Sequence, residues 1–300
     1  MKNNYLDRFR PVDIATLAYI IIEIIVILIF MSDRPGWLYL LFLYISAVCI
    51  VFLMVAFPID YSSFSGRAIR TIYPVVLIVF FYRALGPQLF VIFDVPFDPI
   101  IHQFELNIFG MDPGFAMQKY IDIWLNEFMN FWYFSLYLII PSAIIIYLLL
   151  KKWKSLEKMI LSIAVAYYLC FLLFIFYPVT GPEFYLEDIY YLPIIGPLFT
   201  PITKIIVSAG GHYGASMPSV HCAIAFIVAW RIGSDSRKLV IPAILITILT
   251  CLSAVYGRFH YLTDAAAGVI IGGLGVWISN RWQNRFAERK ENVNPVFGGS

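Results

Sequence analysis

Charge is what this sequence has least of. Asp, Glu, Lys and Arg make up 13% of its residues, against 61% that are hydrophobic. A water-soluble domain carries roughly 25% charged residues, so this chain has too few to cover a surface facing water. It must be solvated mostly by lipid. The formal net charge of +2 is too small to form the basic footprint of a nucleic-acid protein, and no such partner is expected. Cysteine is scarce too. Cys49, Cys170, Cys222 and Cys251 all sit inside apolar runs, without metal-ligand spacing, so they read as packing residues and say little about the redox compartment. Histidine is equally rare, present only as His102, His212, His221 and His260. No internal repeat or low-complexity tract is visible. No carboxylate cluster demands an ion, so neither a metal nor an organic cofactor is expected.

Long apolar runs are abundant instead, and the mean hydropathy is +0.81. About 20 apolar residues cross a bilayer as a helix. Eight stretches qualify or nearly so: 13–32, 37–57, 71–93, 130–150, 157–177, 218–232, 238–257 and 260–280. The first follows a basic start, is too long for a signal-peptide core and lacks a clear small-residue cleavage site, so it is predicted to be a retained helix. The sixth starts abruptly at Pro218 and is short at that end. The eighth holds Gly268 and Gly272, a small-xxx-small pair that lets helices approach closely. The fold class is therefore all-α, a polytopic membrane protein of about eight transmembrane helices. Residues 1–60 form an N-terminal helix pair, 61–283 the main membrane domain and 284–300 a tail. Lys and Arg crowd one set of alternate connections, at residues 2–10, 67–70, 151–158, 231–238 and 281–290. The other set holds only Arg34, Lys119, Lys204 and Arg258. By the positive-inside rule both termini and the tail are cytoplasmic. Two outer segments are long. Residues 94–129 read as amphipathic interfacial pieces, and 178–217 as an ordered loop leading into the sixth helix.

All four histidines fall on the outer side of this topology. In Gly214-Ala-Ser-Met-Pro-Ser-Val-His221, Pro218 suits a first helical turn. Ser216 is a plausible cap, with Ser219 and His221 in the turn that follows. Helix starts favour anions through free N–H groups and the helix dipole. A histidine there can protonate an oxygen leaving a bound phosphate; the bland alternative is a capped helix start with an incidental histidine. In Gly257-Arg-Phe-His-Tyr-Leu-Thr-Asp264, His260 and Asp264 are four apart and share a helix face. A carboxylate on one imidazole nitrogen frees the other to attack, and Arg258 could neutralise phosphate oxygens. The alternative is an interfacial Arg/His/Tyr belt with a local Asp partner.

Together the two motifs resemble the type-2 phosphatidic acid phosphatase superfamily, whose pattern is K-x6-R-P, then P-S-G-H, then S-R-x5-H-x3-D. The second motif here reads Pro218-Ser219-Val220-His221. The third runs from Ser253 through His260 to Asp264. The resemblance implies a helical bundle of the phosphatidic acid phosphatase type and a metal-independent reaction. It implies that His260 is the nucleophile of a phosphohistidine, that Asp264 orients it, that His221 is the general acid and that Ser219 binds phosphate. Ala254 replaces the arginine of the third motif, Val220 replaces a glycine, and no clean first motif occurs. These departures look like the branch containing inositol phosphorylceramide synthases, in which Arg258 is the substitute cation. Phe80–Gly86 and Leu106–Gly110 also look like that branch.

Arg83 lies within an apolar run, where an arginine costs about 2.5–3.5 kcal/mol to insert. It is expected to face protein or a polar cavity, as part of a phosphate clamp or as a structural partner of Glu23. His212 is a further candidate for substrate contact, with a solvated loop position as the alternative, and His102 is expected at the interface. The substrate is a membrane phospholipid or lipid phosphate. A lipid alcohol as acceptor makes the chain a phosphotransferase, and water makes it a phosphatase. A transporter using Glu23 and Arg83 is the reading from a different class.

Overall fold

The computed structural model describes residues 8–57 and 63–293, with side chains up to Phe286 and at Glu288. Lys2, the expected domain boundary at residue 60 and the end of the tail lie outside the described residues. Among the described residues every regular element is helical: α1 Pro11–Phe30, α2 Trp37–Ala56, α3 Phe64–Leu85, α4 Asp98–Phe109, α5 Pro113–Met117, α6 Ile123–Leu149, α7 Trp153–Phe176, α8 Pro182–Tyr185, α9 Phe199–Gly210, α10 Val220–Asp235, α11 Val240–Tyr256 and α12 Leu262–Val293. Among the described residues, seven helices are long and apolar enough to cross a membrane. The protein is an integral membrane protein.

The expected span missing from these seven is the sixth, 218–232, which is α10 and has only 16 residues. At 1.5 Å per residue it extends about 24 Å, short of the roughly 30 Å hydrocarbon core. Its position explains why this is tolerated. It packs against α6, α7, α11 and α12, and Cys222 to Ala225, Ile227 and Val228 are buried. A helix enclosed by helices does not have to match the bilayer. Long apolar side chains face outward on the peripheral helices, as with Ile21, Phe42, Leu53, Leu138 and Ile241.

Local chemistry moves several helix boundaries away from the apolar runs. Helix α3 begins at Phe64 rather than 71, because Ser63 accepts from the Gly66 N–H at 3.2 Å. It ends at Leu85 rather than 93, where Gly86 and Pro87 open a short 3₁₀ turn. Helix α6 starts at Ile123 rather than 130, capped by the Asp122 carboxylate on the Trp124 N–H at 2.8 Å. Helix α12 continues to Val293, so the first ten residues of the expected tail are helical. The outer segment 94–129 is correspondingly shorter and contains α4 and α5.

Two packing features position the site. At one end of the bundle, Arg70 pairs with Asp13 through both carboxylate oxygens, both residues being fully buried, and Tyr73 donates to the same carboxylate. Arg10 and Arg67 reach Glu157 at 3.6 and 3.7 Å. These bonds join the starts of α1, α3 and α7. Toward the other end, α10 and α12 lie in close contact. A Cβ on Gly268 would strike the Ser219 carbonyl oxygen, and one on Gly272 would meet the Ala223 carbonyl oxygen at 2.6 Å. The expected small-residue seam is there, and it brings the beginnings of α10 and α12 together.

Candidate active site

The Ser219 N–H donates to the Asp264 carbonyl at 2.9 Å, which joins the two helix starts through backbone. Asp264 is fully buried and His260 nearly so. Their closest approach, Nδ1 to Oδ2, is 3.6 Å, too long for a hydrogen bond. Ser216 fills the gap. Its Oγ is 2.6 Å from Asp264 Oδ2 and 3.2 Å from His260 Nδ1. A hydroxyl has one proton to give. The short distance assigns that proton to the carboxylate, so the serine oxygen accepts from the imidazole. The network therefore places the His260 proton on Nδ1 and leaves the Nε2 lone pair free. Asp264 Oδ2 also accepts from the Tyr261 N–H at 3.0 Å.

His221 faces this group, its ring centroid 5.9 Å from that of His260. Both of its nitrogens meet tyrosines of α6: Nδ1 lies 3.3 Å from the Tyr133 hydroxyl and Nε2 lies 3.1 Å from the Tyr137 hydroxyl. The Tyr133 ring stacks on the imidazole at 4.5 Å. Phenols both donate and accept, so this bracket suits either protonation state of His221.

The capping serine differs from the sequence reading. Ser219 is the fully buried cap of α10 and accepts from the Cys222 N–H at 3.4 Å. Ser216, expected to be the cap, is the bridge. Arg258 adopts a left-handed backbone conformation with φ 64°. Its guanidinium reaches the Leu192 carbonyl at 2.5 Å and stacks over the Tyr190 ring at 4.2 Å. Arg83 is exposed in the last turn of α3 and donates to the Ala209 carbonyl at 3.3 Å. Glu23 is fully buried, and no ion pair joins the two among the described residues. His212 is not a free loop side chain: its Nε2 is 2.8 Å from the Tyr82 carbonyl oxygen, and burial pushes it below the usual histidine range. His102 lies 3.7 Å from Asp112. Of the cysteines, Cys49 is exposed rather than packed.

The interfacial segment does more than float. Helix α4 turns Asp98 and Glu105 inward, and both are fully buried. Asp98 accepts from the Thr180 and Gly181 N–H groups at 2.7 and 2.8 Å and from the Tyr261 hydroxyl at 3.2 Å. Glu105 accepts from the Thr263 N–H at 2.6 Å, at the start of α12. Burial pushes both carboxyls above their usual range. The loop carrying Ser216 is held in turn by the Ser216 N–H on the Val179 carbonyl at 2.9 Å. Thus α4, the 178–181 turn and the start of α12 form one platform under His260.

A family model described as the PAP2 superfamily matches residues 101–278, more than half of the chain. The chain belongs to the PAP2 superfamily. That membership supports a lipid phosphatase or phosphotransferase type of function. A search of the curated proteins and of the solved structures returned no match. The matched region contains both histidines, Asp264, both serines and Arg258. Helices α1 to α3, with Glu23 and Arg83, lie before it.

Proposed function

We propose that this PAP2 superfamily protein is a lipid phosphotransferase that works through a phosphohistidine at His260. The observation that carries the reading is the chain His260 Nδ1–Ser216 Oγ–Asp264 Oδ2. It points the unprotonated Nε2 away from the carboxylate and opposes the imidazolium charge that develops when that nitrogen attacks. The substrate phosphate is held at the joined starts of α10 and α12, where the dipoles of two helices favour an anion. Nε2 forms a bond to phosphorus as the phosphorus–oxygen bond to the departing alcohol breaks. His221 gives that oxygen a proton. In the second half His221 takes the proton of an incoming hydroxyl, a new phosphorus–oxygen bond forms and His260 is released. General acid–base help of this kind contributes typically 10²–10⁴-fold.

Transfer to a lipid alcohol is favoured over hydrolysis by the placement of the cation. Ala254 is fully buried, so the position occupied by the family's arginine is closed to one here. Arg258, two residues before His260, supplies the charge, as in the inositol phosphorylceramide synthase type. The alternative, a phosphatase acting on phosphatidate or polyprenyl phosphate, shares every step except the acceptor. The distribution of Lys and Arg supports a site at the extracytoplasmic face, with both termini inside.

The deciding experiment incubates purified protein with labelled phospholipids and lipid phosphates, with and without a lipid alcohol. A new labelled lipid that requires the alcohol supports transfer, and free phosphate supports hydrolysis. Full activity in His260→Ala would overturn the mechanism.

A further inference from the structure

Helices α1 and α2 contribute nothing to the catalytic cluster, yet they hold a buried carboxyl without a partner. Glu23 is fully buried past the middle of α1, and neither of its oxygens has a hydrogen-bond partner. No arginine or lysine pairs with it among the described residues. One turn earlier on the same face is Tyr19, also buried, whose hydroxyl makes no hydrogen bond of normal geometry and lies within weak reach of Glu23 and Tyr44. Opposite stands Tyr44 of α2, its ring centroid 6.4 Å from that of Tyr19. Glu23 interacts electrostatically with both phenols. The set closes at Gln88, just beyond α3. Its Nε2 donates to the Tyr44 hydroxyl at 2.9 Å and to the Ala84 carbonyl at 3.1 Å, and its buried Oε1 has no partner.

The chemistry of the set is one-sided. Two carboxylate oxygens, one amide oxygen and two hydroxyls come from three helical segments, and among the described residues no side-chain cation pairs with them. In a membrane interior each such atom needs a partner inside the structure, and a buried charge must be balanced. A single carboxylate is neutralised by one positive charge, whereas a divalent ion would leave an excess. Oxygen donors without His or Cys select hard ions over transition metals. We propose that Glu23, Gln88, Tyr19 and Tyr44 form a site for a dehydrated monovalent cation of the sodium or potassium class. Bound there, the ion fastens the N-terminal helix pair to α3. The site shares no residue with the phosphoryl-transfer cluster, so its fate and that of the proposed reaction are independent.

The test uses the full chain, purified in a neutral detergent and exchanged into choline chloride. Thermal unfolding is followed as sodium or potassium replaces choline at constant ionic strength. A cation that binds only the folded state raises the midpoint with its concentration. The wild type is expected to gain several degrees with at least one of the two ions, and Glu23→Gln to gain none. Tyr44→Phe, a milder change, is expected to need a higher cation concentration for the same gain, which keeps the test open if Glu23→Gln does not fold. Equal midpoints in sodium, potassium and choline would overturn the site. So would an undiminished response in both variants. An infrared band of a protonated carboxyl in saturating cation, lost in Glu23→Gln, would assign a proton to Glu23 and likewise overturn it.

Discussion

Ser216→Ala is the sharpest probe of the proposed relay. The substitution removes one oxygen from a buried position and leaves His260 and Asp264 in place. At 3.6 Å those two cannot replace the lost bridge without moving. Tyr261 continues to hold the carboxylate, so Asp264 stays ordered while its influence on the imidazole is cut. A hydrogen bond to a charged group is worth about 1.5–3 kcal/mol. If that energy is realised as the imidazolium develops, kcat falls by about 10- to 150-fold, at 1.36 kcal/mol per factor of ten. KM changes little, because the serine does not touch substrate. Single-turnover labelling of the phosphoenzyme isolates the affected step, since both its formation and its amplitude are read directly. The double variant Ser216→Ala/Asp264→Asn supplies the control: residues acting through one chain lose less together than the sum of their separate losses. Full kcat in Ser216→Ala beside a large loss in Asp264→Asn would refute the relay and show that Asp264 acts on His260 without the serine.

Tyr137→Phe removes the partner of His221 Nε2 and is expected to lower kcat about three- to tenfold, the worth of one neutral hydrogen bond. It should also displace the limb of the pH–rate profile that reports His221. Gly268→Ala drives a methyl into the Ser219 carbonyl and should cost about 1–3 kcal/mol of stability, with activity lost in parallel. Gly273→Ala, whose nearest neighbour would be Phe226 at 3.9 Å, should be neutral or slightly stabilising in a melting assay. Glu105 has a raised folded-state pKa, so its contribution to stability is fully present below its unfolded value and is lost as pH rises through the folded one. Glu105→Gln keeps an acceptor for Thr263 and removes the charge. Its melting temperature should therefore fall less than that of the wild type across that pH range, with a gain of about 1 kcal/mol at neutral pH.

The sequence already displayed the membrane bundle and the helix start after Pro-Ser, through apolar length and a capping serine; the expectation that His260 and Asp264 share a helix face is corrected, because α12 starts only at Leu262 and His260 lies in the turn before it. Other features were hidden for physical reasons. Ser216 and Ser219 stand three apart before one helix, and either could cap it. Only the position of the first helical turn decides, and that frees Ser216 for Asp264. Arg83 looked mid-span because the apolar run continues to residue 93. The backbone instead breaks at Gly86-Pro87, leaving Arg83 in the last turn of its helix. Tyr133 and Tyr137 share a face of α6, a pattern visible in the sequence but not distinctive among 20 tyrosines. Their partner is more than 80 residues away, a pairing that only the packing of α6 on α10 creates. The short α10 was legible as an anomaly; its enclosure by four helices was not.

Asp98 and Glu105 grip the chain by its peptide groups. The N–H groups they hold belong to residues 180, 181 and 263, and those bonds do not depend on the side chains borne there. The hydroxyls of Thr180 and Thr263 also reach these carboxyls, so varying those side chains weakens the clasp beneath His260 while its peptide bonds remain. At 181 the left-handed backbone, with φ 96°, keeps the freedom narrow. Proline is the substitution that releases the clasp, since it brings no N–H to any of the three positions.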